Sequence, residues 1–266
     1  MAADSLAPME GIGANAQPKD NGVTGSNPLL KGANIVHWYG KLKVVDNVSV
    51  SVMPGESVAI ISPSGSGKST LLRLLLQLEE PTEGAASLLV PPSGIGAVFQ
   101  EDSLLPWLNI VENICLLNKL HRKPVDETEC QKLLECYGLA DFKEYYPSQL
   151  SGGMKQKVAL CRLLLYLPRL YVLDESMANM DDLSRFGLCD ALHSQVAQDG
   201  SSILFVTHNL TDALHLADRI LLGTSRPLRF TKEINNPLPR RRDYHARFSH
   251  EFQAAVDQLR VWIGQD

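Results

Sequence analysis

The sequence has no uninterrupted apolar stretch long enough to cross a lipid bilayer. A membrane-spanning helix needs about 20 consecutive apolar residues. The most apolar region, residues 158–173, is broken by two arginines and a proline. The N-terminal residues carry acidic side chains and lack the basic-then-apolar pattern of a secretory leader. We therefore expect the chain to stay in the cytoplasm.

Signals for metal clusters, disulfides and nucleic acid are also missing. The five cysteines form no C-x-x-C pair and have no histidine at metal-ligand spacing, so we expect buried, reduced thiols. The formal net charge is −5, which argues against nucleic acid as a partner. With 44% hydrophobic and 21% charged residues, the composition is that of an ordinary globular protein.

A glycine-rich loop between a strand and a helix is the most informative feature present. Residues 62–70 read Ser-Pro-Ser-Gly-Ser-Gly-Lys-Ser-Thr, after the β-branched run 57–61 and before a leucine-rich helical run from Leu71. Gly65 and Gly67 allow the backbone to curl, so that successive N–H groups form an anion-binding nest. The following helix N-terminus adds its positive end. The loop is therefore predicted to bind nucleotide phosphates.

Two side chains of this loop have defined chemistry, and one position departs from the pattern. Lys68 is placed to reach the β- and γ-phosphates, and the Ser69 hydroxyl to ligate Mg²⁺. The full G-x-x-x-x-G-K-[ST] pattern has glycine where this chain has Ser62. If the backbone there must take a positive φ, Ser62 costs affinity.

A pair of carboxylates closes the buried run 170–173. Asp174 and Glu175 stand where a parallel strand ends, which is where open α/β sheets bind ligands. Downstream of a phosphate loop, Asp174 is predicted to hold Mg²⁺, and Glu175 to orient or deprotonate the attacking water. Without that loop, the pair would equally suit the start of a solvated loop or helix.

A second helix start follows at residues 150–156, Leu-Ser-Gly-Gly-Met-Lys-Gln. Ser151 is a good N-cap, and Gly152 and Gly153 allow close backbone approach, so this helix N-terminus is also suited to receive a phosphate. An ordinary capped helix would explain Ser151 but not the two glycines.

The pattern of apolar and polar residues along the chain predicts an α/β core interrupted by a helical lobe. Residues 1–28 are predicted to be a disordered tail, and residues 101–167 a mainly helical lobe. Continuous apolar runs on both sides of this lobe suit parallel strands covered on both faces. The predicted strands are residues 48–52, 57–61, 95–99, 170–173 and 203–206, and a helix-like stretch covers 248–263.

In family order and spacing, these motifs resemble those of the ATP-binding cassette (ABC) ATPases from about residue 29 to 222. Gln100 resembles the family's glutamine switch, and His208 its switch histidine that contacts the γ-phosphate. Tyr39 resembles the aromatic that stacks on adenine; Trp38 is a competing candidate, and a core aromatic is the plain alternative.

The resemblance implies an α/β P-loop NTPase (ABC ATPase) core with an antiparallel β subdomain and an inserted helical subdomain. It also implies ATP and Mg²⁺ as cofactors, bound between two ATPase subunits facing head to tail. We predict an ABC ATPase domain over residues 29–228 and a C-terminal extension over 229–266. The implied catalytic residues are Lys68, Gln100, Glu175 and His208; the implied nucleotide-binding residues are Tyr39, Ser64, Gly65, Ser66, Gly67, Lys68, Ser69, Thr70, Ser151, Gly152 and Gly153; the implied metal ligands are Ser69, Gln100 and Asp174.

Two segments resemble importer ATPases of the nitrate, sulfonate and taurine group, namely residues 99–114 and 206–219. The resemblance implies a membrane permease as partner, an indirect periplasmic solute-binding protein, and a place at the inner face of the membrane. The segment Leu104-Leu-Pro-Trp107 would supply apolar contacts to the permease. The alternative is that Leu105 and Trp107 pack inside the helical lobe.

Several departures from the family pattern leave a second function open. Residues 176–181, Ser-Met-Ala-Asn-Met-Asp, replace the usual loop after the glutamate, and Asn209 stands where aspartate commonly follows the histidine. Together with Ser62, they make a regulatory or weakly hydrolysing partner subunit the alternative to a transport ATPase. The basic run 240–242 is predicted to be solvated, with a docking or regulatory surface as the alternative.

Overall fold

The computed structural model describes residues 27–100, 104–178, 180–240, 242 and 244–264. Nearly all of the predicted tail, and residues 101–103 of the predicted helical lobe, lie outside these ranges. The strands are β1 Leu30–Tyr39, β2 Leu42–Val52, β3 Ser57–Ile61, β4 Glu83–Leu88, β5 Ile95–Val98, β6 Leu170–Asp174, β7 Ser202–Thr207, β8 Arg219–Gly223 and β9 Phe230–Asn235. The helices are α1 Lys68–Leu75, α2 Ile110–Leu120, α3 Glu127–Cys136, α4 Gly152–Tyr166, α5 Asp182–Asp199, α6 Leu210–Leu216 and α7 His250–Ile263.

A six-stranded sheet of order β5-β6-β7-β3-β8-β9 forms the centre of the molecule. Its first five strands run parallel, and β9 closes one edge antiparallel to β8. Every residue of β3, β6 and β7 is buried, because helices cover both faces of the sheet. This is why these strands read as continuous apolar runs, and their prediction from the sequence is confirmed.

A smaller antiparallel sheet of order β2-β1-β4 lies beside the first. Strand β1 pairs with β2 from Leu30 opposite Val52 to Tyr39 opposite Leu42. The alternating residues at positions 48–52 point one face into the core and one outward, as their period predicts. The α/β fold with an antiparallel subdomain is confirmed.

Helices α2, α3 and α4 form the helical lobe, and each begins at a side-chain cap. Asn109 and Glu112 form a reciprocal capping box at α2. Asp126 caps α3, and Ser151 caps α4 by accepting a hydrogen bond from the Met154 N–H. Of these three helix starts, only that of α4 was predicted from the sequence, and the Ser151 cap is confirmed.

The C-terminal segment packs on the sheet and helices. Strand β9 belongs to the central sheet, and Phe252, Val256 and Leu259 of α7 are buried in the main core. The prediction that residues 240–242 are a solvated run is wrong for Arg242, which is only 4% exposed. Its guanidinium donates hydrogen bonds to main-chain carbonyls at the end of α6, which satisfy a charge that burial would otherwise leave unpaired.

The cysteine side chains lie mostly in the interior of the described part of the chain. Four of the five cysteines are buried, as expected, whereas Cys136 is exposed, contrary to expectation. Within the described ranges, no cluster of three or more His, Cys, Asp or Glu side chains could hold a metal ion. None of the helices described is both long and apolar enough to span a membrane.

Candidate functional site

Four neighbouring strands bring the predicted site residues to one edge of the central sheet. Strands β5, β6, β7 and β3 are parallel, so their carboxyl ends meet there. The phosphate loop follows β3, Asp174 ends β6, His208 follows β7, and Gln100 lies just beyond β5. The register of β6 against β7 places Asp174 opposite Val206.

The phosphate loop takes the curled conformation that its glycines allow. Gly65 has φ +72° and Gly67 has φ +118°, both in the region disfavoured for residues with a Cβ. A Cβ at Gly67 would also lie 2.7 Å from the main-chain oxygen of Val44 on β2. Helix α1 starts directly afterwards at Lys68, so its free N–H groups face the loop.

Lys68 is almost completely buried, and its ammonium group contacts three oxygen atoms. Its Nζ donates to the carbonyl oxygens of Ser62, at 3.0 Å, and Pro63, at 2.9 Å. It also lies 3.2 Å from Oε1 of Glu175. The lysine predicted for phosphate and the carboxylate predicted for water are therefore in direct contact.

Ser62 fits the loop without backbone strain. It is not among the residues with positive φ, so the cost foreseen for a side chain at this position does not arise. Its hydroxyl instead pairs with that of Ser66 at 2.6 Å, and both serines are buried. The substitution adds a hydrogen bond inside the loop.

Asp174 has the features of a metal-ligating carboxylate. It is 1% exposed, and its Oδ1 has no hydrogen-bond partner. Burial raises the pKa of Asp174, while the neighbouring hydroxyl of Ser69 partly lowers it. A buried carboxylate oxygen without a donor, next to a serine hydroxyl, fits the hard oxygen-ligand preference of Mg²⁺.

Glu175 lies between Lys68 and His208. Its Oε2 is 3.8 Å from Nδ1 of His208, and its backbone takes φ +46°. The Glu175 N–H donates to the Val206 carbonyl of β7, which holds this left-handed turn at the end of β6. A cavity of about 30 Å³ adjoins the pair and is bounded by Ser176 and Asp212.

Asn209 replaces the common aspartate without loss of the local structure. Its Oδ1 accepts hydrogen bonds from the N–H groups of Thr211 and Asp212, which caps α6. His208, immediately before this cap, has a side chain that is 63% exposed. The histidine is thus presented to solvent from a fixed helix start.

Tyr39 lies at the end of β1, close to the first turn of α1. It is 45% exposed, so the alternative of a core aromatic is wrong. Its hydroxyl donates to Glu79 at 2.6 Å, and the Thr70 side chain lies near enough to lower the tyrosine's pKa. Burial and Glu79 outweigh this and raise that pKa. Trp38 carries Lys43 over its ring at 4.8 Å.

The Ser151–Gly153 segment faces outward from the helical lobe. Ser151 and Gly152 are exposed, and a Cβ added at Gly152 would meet no atom within 4 Å. The fold of this chain therefore does not require a glycine there. Further along α4, Lys157 binds Asp181 at 3.0 Å and so ties the helix to the segment after Glu175.

The segment after Gln100 presents an aromatic side chain to solvent. Gln100 is exposed, and residues 101–103 lie outside the described residues. Trp107 is 69% exposed, so the alternative that it packs inside the lobe is wrong, whereas Leu104 is buried. Asn113 holds this segment by donating to the carbonyls of Leu105, Leu108 and Asn109.

Two arginines that support the site, Arg162 and Arg226, were not predicted from the sequence. Arg162 donates to the side-chain and main-chain oxygens of Asn113, and burial lowers its pKa to about 10. Arg226 donates to the carbonyl of Gly65 at 3.0 Å. No local pattern marks them, because their partners are remote in sequence. An arginine inside an apolar helical run was the one available signal for Arg162.

A parallel sheet that delivers a glycine-rich loop, two carboxylates and a histidine to one edge defines a phosphate-loop nucleotide-binding protein. Residues 45–178 match the family model for "ABC transporter". A relative from Rhodococcus jostii (strain RHA1), "Aliphatic sulfonates import ATP-binding protein SsuB 1", is 38% identical over 88% of this chain and 91% of its own. A protein of the same name from Pseudomonas aeruginosa (strain UCBPP-PA14) is 39% identical over 82% and 91%. The chain belongs to the ABC transporter family, as an ATPase.

Solved structures agree with this assignment. An ATP-binding subunit of an ABC transporter has TM-score 0.72 and 26% identity, covering 89% of this chain and 99% of that chain. A dimeric ATP-binding cassette in a post-hydrolysis state with ADP and Pi has TM-score 0.66 and 28% identity, covering 79% and 100%. The resemblance to the sulfonate-containing importer group is confirmed.

Proposed function

We propose that this chain is the ATP-hydrolysing subunit of an importer that takes up a small solute, an aliphatic sulfonate or a related compound such as taurine or nitrate. The observation that carries the proposal is the contact of Lys68 with Glu175, beside His208, at the carboxyl edge of the sheet. The names of the relatives support a sulfonate as the solute.

In this proposal the loop Ser64–Thr70 binds the phosphates of ATP, and Tyr39 stacks on the base. Ser69, Gln100 and Asp174 would hold Mg²⁺, which supplies positive charge to the β- and γ-phosphates. Lys68 exchanges its carbonyl and carboxylate partners for phosphate oxygens. Glu175 then accepts a proton from the attacking water, and Gln100 and His208 contact the γ-phosphate.

A second subunit completes the site. Ser151 and Gly152 are exposed, Gly153 is half-buried, and the open space at Gly152 leaves room for a close approach, which suits contact with ATP bound to a partner copy. The dimeric relative supports this arrangement. The subunit would dock at the inner face of the membrane on a permease through the exposed Trp107 segment, with a periplasmic solute-binding protein as an indirect partner.

Turnover of Mg²⁺-ATP by the purified chain, measured across protein concentration, tests the proposal. A catalytic homodimer requires turnover to rise faster than linearly with protein concentration. Lys68→Ala should abolish nucleotide binding, because it removes the buried cation of the loop. ATP binding without turnover, with or without the permease, would instead support a regulatory partner subunit. Full nucleotide affinity in Lys68→Ala would contradict the site itself.

A further inference from the structure

The turn of residues 224–229, between β8 and β9, is closed by hydrogen bonds and lies against the phosphate loop. Thr224 closes it by donating its N–H to the Arg229 carbonyl at 2.9 Å and its hydroxyl to the Pro227 carbonyl at 2.8 Å. The Leu228 N–H donates at 2.8 Å to the carbonyl of Val44. The same Val44 oxygen lies next to Gly67, so the turn and the phosphate loop both contact Val44.

Arg226 reaches from this turn to the loop. Its Nε donates to the Gly65 carbonyl at 3.0 Å, and a Cβ added at Gly65 would lie 3.4 Å from its Nη2. The guanidinium therefore lies over the loop. Within the described part of the chain, Arg226 forms no ion pair with a carboxylate. The positive charge of Arg226 is therefore not neutralised by a neighbouring carboxylate in that part of the chain.

The contact of Arg226 with the Gly65 carbonyl acts on the Gly65–Ser66 peptide group. In the proposed site, the N–H end of this group is the end that binds phosphate. The Gly65 carbonyl and the Ser66 N–H belong to one planar peptide group and point in opposite directions. The Ser66 N–H donates a long hydrogen bond of 3.3 Å to the Pro63 carbonyl. A cation bound to the carbonyl end fixes the orientation of this peptide and polarises its N–H toward an anion.

We propose that Arg226 is a positioning residue for the phosphate loop, which holds the Gly65–Ser66 peptide with its N–H available to the nucleotide phosphates. The inference rests on the proposed phosphate-binding role of the loop. Arg226 touches the carbonyl side of the loop, so it acts through the peptide. The effect should therefore appear in the affinity for ATP and ADP alike and leave the chemical step unchanged.

Nucleotide titrations of Arg226→Ala and Arg226→Lys, with fluorescent ATP and ADP, test this role. For Arg226→Ala we expect Kd for both nucleotides to rise about five- to tenfold, the size of one charge-assisted hydrogen bond at an exposed position. KM for ATP should rise in parallel, with kcat at saturating ATP unchanged. Arg226→Lys, which keeps the charge and a donor, should recover part of the loss.

Arg229→Ala is the matched control, since Arg229 is an exposed arginine of the same turn that binds Asp46 instead of the loop. It should keep wild-type affinity. Wild-type Kd in Arg226→Ala, or an equal loss in Arg229→Ala, would overturn the proposal. Lys68→Ala separates the two levels. If it loses binding while Arg226→Ala does not, only this inference fails; if it keeps binding, the proposed site fails as well.

Discussion

The ammonium group of Lys68 lies 3.2 Å from the Oε1 atom of Glu175, and the two side chains are only 4% and 13% exposed. The lysine comes from the loop after β3, and the glutamate from the turn after β6, with β7 between these strands. The ammonium group of Lys68 thus forms an ion pair with the Glu175 carboxylate. A γ-phosphate that binds Lys68 would compete with Glu175 and release it toward the attacking water.

Replacing Glu175 by glutamine should separate binding from hydrolysis. The amide keeps the size of the side chain but cannot accept a proton, so we expect Mg²⁺-ATP turnover to fall at least about 100-fold. ATP affinity should stay the same or increase, because Lys68 loses a charged competitor. Phosphate release and nucleotide titration measure the two effects. Glu233→Gln, at an exposed glutamate of β9, is the control; hydrolysis persisting in Glu175→Gln would rule out its assigned role.

Replacing Asp174 by asparagine should stabilise the nucleotide-free protein while weakening its response to Mg²⁺. The raised pKa means that the folded protein binds this proton more tightly than the unfolded chain, so stability falls as pH rises above about 3.8. The neutral amide removes that penalty, and we expect Tm at neutral pH to rise by about 2–4 °C. The Mg²⁺ concentration for half-maximal turnover should rise. A lower Tm in Asp174→Asn, with an unchanged dependence of turnover on Mg²⁺, would contradict both parts of the prediction.

Gly152→Ala should leave the single chain intact and impair the assembled ATPase. Among the described residues, a Cβ at this position meets no atom within 4 Å outside its own helix backbone, so thermal stability should not fall. In the proposed dimer the methyl group would enter the space between the α4 N-terminus and the partner's nucleotide. We expect ATP-induced dimerisation, followed by light scattering, and turnover to be lost together. Gly187→Ala, another glycine with open space around it, is the control; wild-type dimerisation in Gly152→Ala would refute the contact.

Replacing Asn113 by alanine should destabilise the protein strongly, whereas replacing Trp107 should change its stability very little. Asn113 is fully buried, and its side chain makes hydrogen bonds to the 105–109 segment and to Arg162, so Asn113→Ala leaves several buried partners unpaired. We expect a loss of about 2–4 kcal/mol in the free energy of unfolding. Trp107→Ala removes an exposed side chain and should change stability by about 0.5 kcal/mol or less. Urea unfolding measures both, and a large loss in Trp107→Ala would contradict its exposure.

The same tryptophan should matter when the permease is present. Trp107→Ala is expected to reduce co-purification with the permease while the ATP affinity of the isolated chain stays unchanged. Leu120→Ala, at another exposed apolar residue of the helical lobe, is the control. Equal recovery of permease by Trp107→Ala and by the wild type would exclude Trp107 from the docking surface.

His215 should make stability depend on pH below neutrality. The buried ring accepts from Arg247 at Nδ1, and its Nε2 lies 2.7 Å from Asp190. Burial, aided by Arg247 and His193, lowers the pKa of His215 below 6.5. The unfolded chain therefore binds the proton more readily, and stability falls as pH falls below about 6.5. Thermal unfolding between pH 8 and 5.5 should show a shallower slope in His215→Gln; an unchanged slope would exclude this residue.

The sequence was most informative where a signal is local. The Ser151 cap acts within three residues, and the buried strands show as apolar runs because both faces are covered. The position of Asp174 at the end of β6 was predictable because the apolar run before it marks a buried strand. In contrast, whether Trp107 packs inward or faces solvent depends on which residues cover it, and the sequence left both possibilities open.

The burial of Arg242 shows why some predictions fail. Three adjacent arginines indicate a solvated surface, since buried guanidinium groups are rare. The carbonyls of Leu214 and Ala217 at the end of α6 provide the partners that make burial possible, and these partners are fixed only when the C-terminal segment folds back. The Arg226 contact with Gly65 depends on long-range packing in the same way.

The phosphate loop, the carboxylate pair and the second glycine-bearing helix start could be read from the sequence alone, because each is a short pattern set by local backbone and side-chain chemistry. The order and spacing of these patterns identified the family. Three further features could be known only from the folded protein: Lys68 contacts Glu175, Ser62 needs no positive φ, and Arg242 is buried while Trp107 is exposed. Those outcomes depend on which distant segments the parallel sheet brings together, and burial and charge pairing follow from that arrangement.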